Sequence, residues 1–266
     1  MKSNEPILSI DNATVYRQST QVFKGLSLQL FLGESAAIIG PNGSGKTTLL
    51  KLITREIHPV VKADSHIHLF GNEQVIIWEL RQRIGLVSHE FQSDYRALAS
   101  GREVVLSAFF GAVGIHQHHQ VSDEQINLAD AVMAQLDITD LADKKYLHLS
   151  TGQQRRLLLA RALIHNPDVL IFDEPTNGLD IKSAFRLLND MRRLCQQGTT
   201  LVLVTHHVHE IIPEIERVIC LKEGEIVADG KKPAILNEQT ISSVYDTPVT
   251  VTKNQGFYSV APKSGV

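Results

Sequence analysis

Apolar and polar positions alternate from about Ile7 to Leu32, with Ile7, Ile10, Val22, Leu26, Leu28 and Leu30 on the apolar side. A period of two predicts antiparallel strands that bury one face. Gly33-Glu34 turns the chain, and Ala36-Ala37-Ile38-Ile39 is then apolar throughout, as a strand covered on both faces must be. Helical spacing starts at Thr48-Leu49-Leu50-Lys51-Leu52-Ile53 and is expected to end near His58-Pro59, because proline disfavours helix in the residue before it. Ile67, Leu69 and Phe70 suggest a short strand closed by Gly71-Asn72, and Ile84-Gly85-Leu86-Val87-Ser88 suggests another.

From about Ser93 to Leu149 apolar residues recur at threes and fours: Val104, Val105, Ala108 and Phe109, then Leu128, Ala131, Val132 and Leu136. This stretch is expected to be mostly helical. Gly111-Ala112-Val113-Gly114 and the His-rich run to Gln120 supply the loop between its helices. Two further helices, Gln153 to Ala162 and about Ile181 to Gln197, alternate with the apolar strands Val169-Leu170-Ile171-Phe172 and Leu201-Val202-Leu203-Val204. Such alternation implies a mainly parallel sheet with helices on both faces. After Leu221 short strands and turns are expected. The predicted fold is α/β, with an N-terminal antiparallel β subdomain and an α-helical lobe inserted in the core. Its expected boundaries are core over 1–92 and 150–235, lobe over 93–149, and a C-terminal extension packed on the core over 236–266. No internal repeat or low-complexity linker interrupts it.

With 266 residues, 43% of them hydrophobic, the chain can bury a sizeable core. A net charge of −3 shows no basic bias, so nucleic acid is not indicated as a partner. Cys195 and Cys220 lack metal-ligand spacing and suit a reducing cytosol. The start of the chain has no secretory signal pattern, and no apolar run reaches the ~20 residues that span a bilayer. A cytoplasmic protein is expected, and any service to a membrane process would require docking on a separate membrane-embedded partner.

The chemistry begins where the all-apolar strand ends. Gly40-Pro41-Asn42-Gly43-Ser44-Gly45-Lys46-Thr47 lies between a strand and a helix, with Thr48 next. Glycines let the backbone curl so that successive N–H groups can face phosphate oxygens, and the helix N-terminus adds its positive dipole end. Lys46 can reach β- and γ-phosphates, and the Thr47 hydroxyl can ligate Mg²⁺. The loop implies a nucleoside triphosphate ligand. Val169-Leu170-Ile171-Phe172-Asp173-Glu174 ends in two carboxylates at the edge where parallel sheets bind ligands. Asp173 can enter the Mg²⁺ shell, and Glu174 can polarise a water for attack on the γ-phosphate.

Upstream, Leu149-Ser150-Thr151-Gly152-Gln153 offers Ser150 as an N-cap and the Gly152 N–H as a further donor: an anion site without an anion of its own. With this signature between loop and carboxylates, the chain resembles the ATP-binding-cassette ATPases, the nucleotide-binding subunits of ABC transporters. The likeness covers nearly the whole chain, in order, although Thr151 stands where glycine is commoner. It implies a RecA-like P-loop NTPase core and ATP with Mg²⁺ as cofactors. It also implies a head-to-tail homodimer or paired cassette, in which each signature (Ser150, Gly152, Gln153) grips the γ-phosphate on the other loop. Asn177-Gly178-Leu179-Asp180 matches the loop that touches the partner subunit, and His206 matches the switch histidine that bonds the γ-phosphate. Tyr16 is the implied adenine platform, with Arg17 as the alternative. Gln92, or else His89, fills the glutamine position near the metal. Separate transmembrane permease subunits and a peripheral place on the cytoplasmic face are implied as well. The length, single cassette and tail around Thr247-Pro248-Val249-Thr250-Val251 most resemble importer ATPases of the iron-chelate and molybdate-related groups.

Two other functions compete. A cassette ATPase working without a transporter, on DNA or ribosomes, would often carry tandem cassettes or a long coiled-coil insertion, and neither is present. A nucleotide switch without turnover is weakened by the presence of both Glu174 and His206. The histidines His66, His68, His116, His118 and His119 suggest a metal, but no cysteine or carboxylate framework surrounds them, and solvent-facing loops account for them better.

Overall fold

The computed structural model describes residues 6–88, 95, 99–116 and 119–263. They form two compact units, Met1–Ile77 with Thr200–Val266, and Trp78–Thr199.

In the first unit, β1 (Pro6–Arg17) and β2 (Thr20–Phe31) form an antiparallel hairpin, and β4 (His66–Leu69) pairs antiparallel with the other edge of β1. The predicted alternation is realised on β2, where Leu26, Leu28 and Leu30 are buried between exposed Ser27 and Gln29. A second sheet carries β3 (Ala36–Ile39) between two parallel neighbours, β7 (Thr200–Thr205) and β8 (Arg217–Lys222). The antiparallel strand β9 (Glu225–Lys231) continues from β8. All four residues of β3 and all six of β7 are buried, which is why those runs contain almost no polar side chains. Helix α1 (Lys46–Ile53) follows β3. It ends earlier than the proline at position 59 suggested: the Thr54 hydroxyl bonds back to the Leu50 carbonyl at 3.2 Å, and Arg55 turns left-handed at φ 59°. A local side-chain bond to the backbone competes with helix continuation.

The end of this unit is more regular than expected. Two helices, α7 (Lys232–Ile235) and α8 (Glu238–Tyr245), precede a hairpin of β10 (Val249–Asn254) and β11 (Phe257–Pro262). Asn237 caps α8 by accepting the Thr240 N–H at 2.9 Å.

In the second unit, β5 (Ile84–Ser88) and β6 (Val169–Asp173) pair in parallel, and α2 (Ile77–Arg83), which the periodicity did not suggest, leads into β5. Helices α3 (Gly101–Leu106) and α4 (Asp123–Gln135), each started by a capping box, account for the predicted helical stretch along with short 3₁₀ turns. The buried side of α4 is Ala129 and Met133, with Leu136 at its end; Leu128 and Ala131, expected inward, are exposed. Helix α5 (Thr151–Leu163) packs on α3, α4 and β5 as well as on α6 (Ile181–Gln196). Asp190, buried on α6, receives Arg156 of α5 at 3.0 Å, a pair that joins the two helices, and Arg193 of its own helix at 2.6 Å.

Candidate nucleotide-binding site

The loop after β3 is built by close approach. A Cβ at Gly40 would stand 2.0 Å from the Leu221 carbonyl oxygen of β8, so only glycine lets the loop leave the sheet here. Gly45 has φ 107° and would drive a Cβ to 2.7 Å from the Phe23 ring. Gly40→Ala is therefore expected to destabilise the fold by about 1–3 kcal/mol, the range for overpacking. A lowered urea midpoint would show it, and an unchanged midpoint would contradict the observed packing.

Inside the loop Lys46 is almost wholly buried, with its ammonium donating to the carbonyls of Gly40 at 2.8 Å and Pro41 at 3.1 Å. Ser44 turns back to Pro41 through its N–H at 3.2 Å, and Gly224 donates to the Ser44 carbonyl at 3.0 Å. The Ser44 hydroxyl is buried without a hydrogen-bond partner. Such a group demands an acceptor. A buried cation, an orphaned hydroxyl and the first-turn N–H groups of α1 make a donor set that fits a polyphosphate. Thr47 is half-buried beside them.

Tyr16 and Arg17 lie at the tip of the β1–β2 hairpin, paired with Gln21 and Thr20. The same hairpin meets the loop, because Val22 and Phe23 are the side chains that crowd Gly45. Tyr16 is 49% exposed on this hairpin. His206 directly follows β7, whose Thr205 pairs with Ile39, so the histidine starts level with the residue that enters the loop.

In the second unit Asp173 closes β6 opposite Ser88. Glu174 is held left-handed at φ 47°, and Asn177 donates to its carbonyl at 3.2 Å, starting a tight turn immediately after the carboxylates. Strain of this kind concentrates at functional positions. Asp180 caps α6, accepting the Ser183 N–H at 2.9 Å and its hydroxyl at 2.8 Å; these bonds hold the carboxyl below the ordinary carboxylate range. Ser150 caps α5: its Oγ accepts the Gln153 N–H at 3.3 Å while the Gln153 side chain accepts the Ser150 N–H at 3.0 Å. The hydroxyl proton of Ser150 stays available to donate. Gln153 is thus engaged in the cap itself. A Cβ at Gly152 would lie 2.4 Å from the Ser183 hydroxyl, so the signature and the start of α6 touch.

Gln92, His89 and His118 lie outside the described residues. His66 bonds Glu73 at 3.3 Å and the Ala63 carbonyl at 3.2 Å, and His119 stacks on Phe110 at 4.2 Å between ring centres. Cys220 is buried in β8, where desolvation and then Asp229 push its thiol up to about 12, so it is inert.

A family profile described as ABC transporter matches residues 23–177, more than half of the chain. The chain belongs to the ABC transporter family. Among its relatives is an ABC transporter ATP-binding protein, YlmA of Bacillus subtilis (strain 168), with no characterised role; it is 32% identical, over 94% of each chain. CbiO1 of Clostridium perfringens, described as part of the ABC transporter complex CbiONQ, is 27% identical with a TM-score of 0.74, covering 90% of this chain and 94% of that one. A dimeric cassette in a post-hydrolysis state bound to ADP and Pi is 28% identical with a TM-score of 0.68, covering 84% and 98%. This ABC protein is an ATP-binding, ATP-hydrolysing transporter subunit, as the order of its motifs implied. The relatives are transporter components, which removes the alternative of a cassette acting without a transporter. The matched stretch stops at Asn177, so Asp180, His206 and the whole C-terminal extension lie beyond it.

Proposed function

We propose that this ATPase works as half of a head-to-tail pair of cassettes, with the α5 N-terminus of each copy completing the triphosphate site on the other's loop. The observation that carries this reading is the capped signature. Ser150 and the first turn of α5 present donors, and Gly152 is kept small by Ser183, while among the described residues no glycine loop like that over 40–47 accompanies this helix start. A dimeric relative holding ADP and Pi gives the pairing a precedent.

In this scheme the loop from Gly40 to Thr48 wraps the phosphates and Tyr16 stacks on the adenine. Mg²⁺, when bound, neutralises charge on the polyphosphate, and the oxygens of Thr47 and Asp173 are the hard ligands that would hold it. Glu174 takes the proton of the attacking water, and His206 donates to the γ-phosphate. Asp180 ends the loop that meets the second copy. We place the pair on the cytoplasmic face against separate permease subunits. CbiO1 is part of such a multi-component complex, and no described helix here is long and apolar enough to cross a membrane.

Ser150→Arg tests the pairing. The added bulk and charge at an exposed cap should abolish ATP-dependent dimers in sedimentation velocity while leaving nucleotide binding by the single chain unchanged. Dimers persisting in that variant would refute the head-to-tail arrangement.

A further inference from the structure

The loop that follows β7 is clamped by the C-terminal extension. Tyr245, the last residue of α8, donates its hydroxyl to the His206 carbonyl at 3.1 Å across 39 positions of sequence. Beyond His206, the 3₁₀ turn Val208–Glu210 is covered by β11. Lys232, buried at the start of α7, donates to the carbonyls of Ile212 at 3.0 Å and Pro213 at 2.8 Å. The turn at Gly256 lies against the Pro213 ring. These contacts on the loop come from α7, just before the extension, and from α8, β11 and the β10–β11 turn within it.

Tyr245 is itself tied to the sheet that carries the phosphate loop. Lys222, at the end of β8, pairs with Asp246 at 2.6 Å and donates to the Ser243 carbonyl at 2.9 Å, holding the C-terminal turn of α8 from both sides of Tyr245. β8 and β7 flank β3 in parallel, and β8 also contributes the Leu221 oxygen that crowds Gly40. His206 is thus fixed twice to the same frame, through β7 and through Lys222, α8 and Tyr245. The N–H of the same peptide unit, that of His207, bonds the Thr205 hydroxyl at 2.9 Å, so the peptide that follows His206 is anchored at both its oxygen and its nitrogen. A histidine has two χ angles of its own, and its aim is set by how firmly its backbone is held.

We propose that Tyr245 is a positioning residue for ATP cleavage: through the His206 carbonyl it fixes the imidazole that meets the γ-phosphate. The inference rests on the catalytic reading of His206 given above and adds the C-terminal extension to the hydrolytic machinery. It makes the extension a place where turnover can be tuned without touching the nucleotide.

The test uses the purified full-length chain, Mg²⁺ and ATP. Tyr245→Phe removes one oxygen and keeps the ring, so the fold is retained. The loss expected is that of one hydrogen bond expressed in the transition state, a fall in kcat of about three- to tenfold with the half-saturating ATP concentration unchanged. A wild-type kcat overturns the inference. So does a fall in kcat matched by weaker ATP saturation, because that marks a tether of the whole pocket and not of the histidine. His206→Ala in the same assay separates the two claims: wild-type turnover there rejects the catalytic reading itself, whatever Tyr245→Phe does.

Discussion

Glu174→Gln is expected to keep ATP bound and to lower its turnover by about a hundred- to ten-thousandfold, the range a positioned general base contributes. The substitution is chosen because it changes little else. Glu174 sits at φ 47°, where unbranched side chains differ little from one another, and the turn that follows is closed by a backbone bond from Asn177 to the residue's carbonyl. Neither depends on the carboxylate. What is lost is the carboxylate that follows Asp173, the proposed metal ligand, so in the proposed scheme the water beside the γ-phosphate loses its proton acceptor. If closure of two copies precedes cleavage, as proposed, the variant accumulates in the closed state. Gel filtration with ATP should then show a dimer, and a phosphate-release assay should show its turnover nearly gone. A variant that elutes as a monomer and hydrolyses ATP at the normal rate would remove Glu174 from the mechanism.

How far this site could be read in advance depended on the range over which each feature is encoded. The phosphate loop is local: three glycines in eight residues, an apolar strand before and a helix after leave few conformations, and Gly40 and Gly45 stand where the packing admits nothing larger. The caps at Ser150 and Asp180 are equally local, since each involves a side chain and an N–H three residues on. The end of α1 was misjudged because a proline sets only an outer bound, while the Thr54 hydroxyl stops the helix sooner. On α4 the heptad-like spacing did not say which of two neighbouring stripes faces inward; Met133, a flexible side chain outside the pattern, fills the core in place of Leu128. α2 was missed because its one buried residue, Leu80, leaves no periodic stripe to detect.

Tyr245 could not have been found by any local rule. Its partner is a backbone carbonyl, which carries no sequence signature, and the two meet through tertiary packing that includes the Lys222–Asp246 pair between β8 and the end of α8. The helix was not expected either, although it has Asn237 as its cap and Ile241 and Val244 three apart on its buried side. What the residue does there was not legible, since that follows from the tertiary path of the last thirty or so residues.

Lys46→Ala should remove ATP binding and turnover together while leaving the fold in place. The fold argument comes first. Lys46 opens α1, where alanine is the better helix former, and its ammonium bonds the Gly40 and Pro41 carbonyls of the loop. The functional cost follows from the same bonds. Without the ammonium, the Gly40 and Pro41 oxygens line the loop as bare acceptors, and an approaching triphosphate meets two partial negative charges where it needs a full positive one. The orphaned Ser44 hydroxyl and the helix N-terminus remain, but neutral donors do not replace a buried cation against a polyanion. Removing a charge-stabilising donor of this kind weakens the transition state by about a hundred- to thousandfold, and here the ground state should suffer too. Titration with a fluorescent ATP analogue should show binding lost, and circular dichroism with urea should show an unfolding midpoint no lower than that of the parent. Lys46→Arg keeps the charge but pushes a planar fork into a slot shaped for one nitrogen between two carbonyls, so it should fail nearly as badly. Normal hydrolysis by either variant would mean that the ammonium between Gly40 and Pro41 serves the loop's own folding, and the phosphate contact would have to be sought elsewhere.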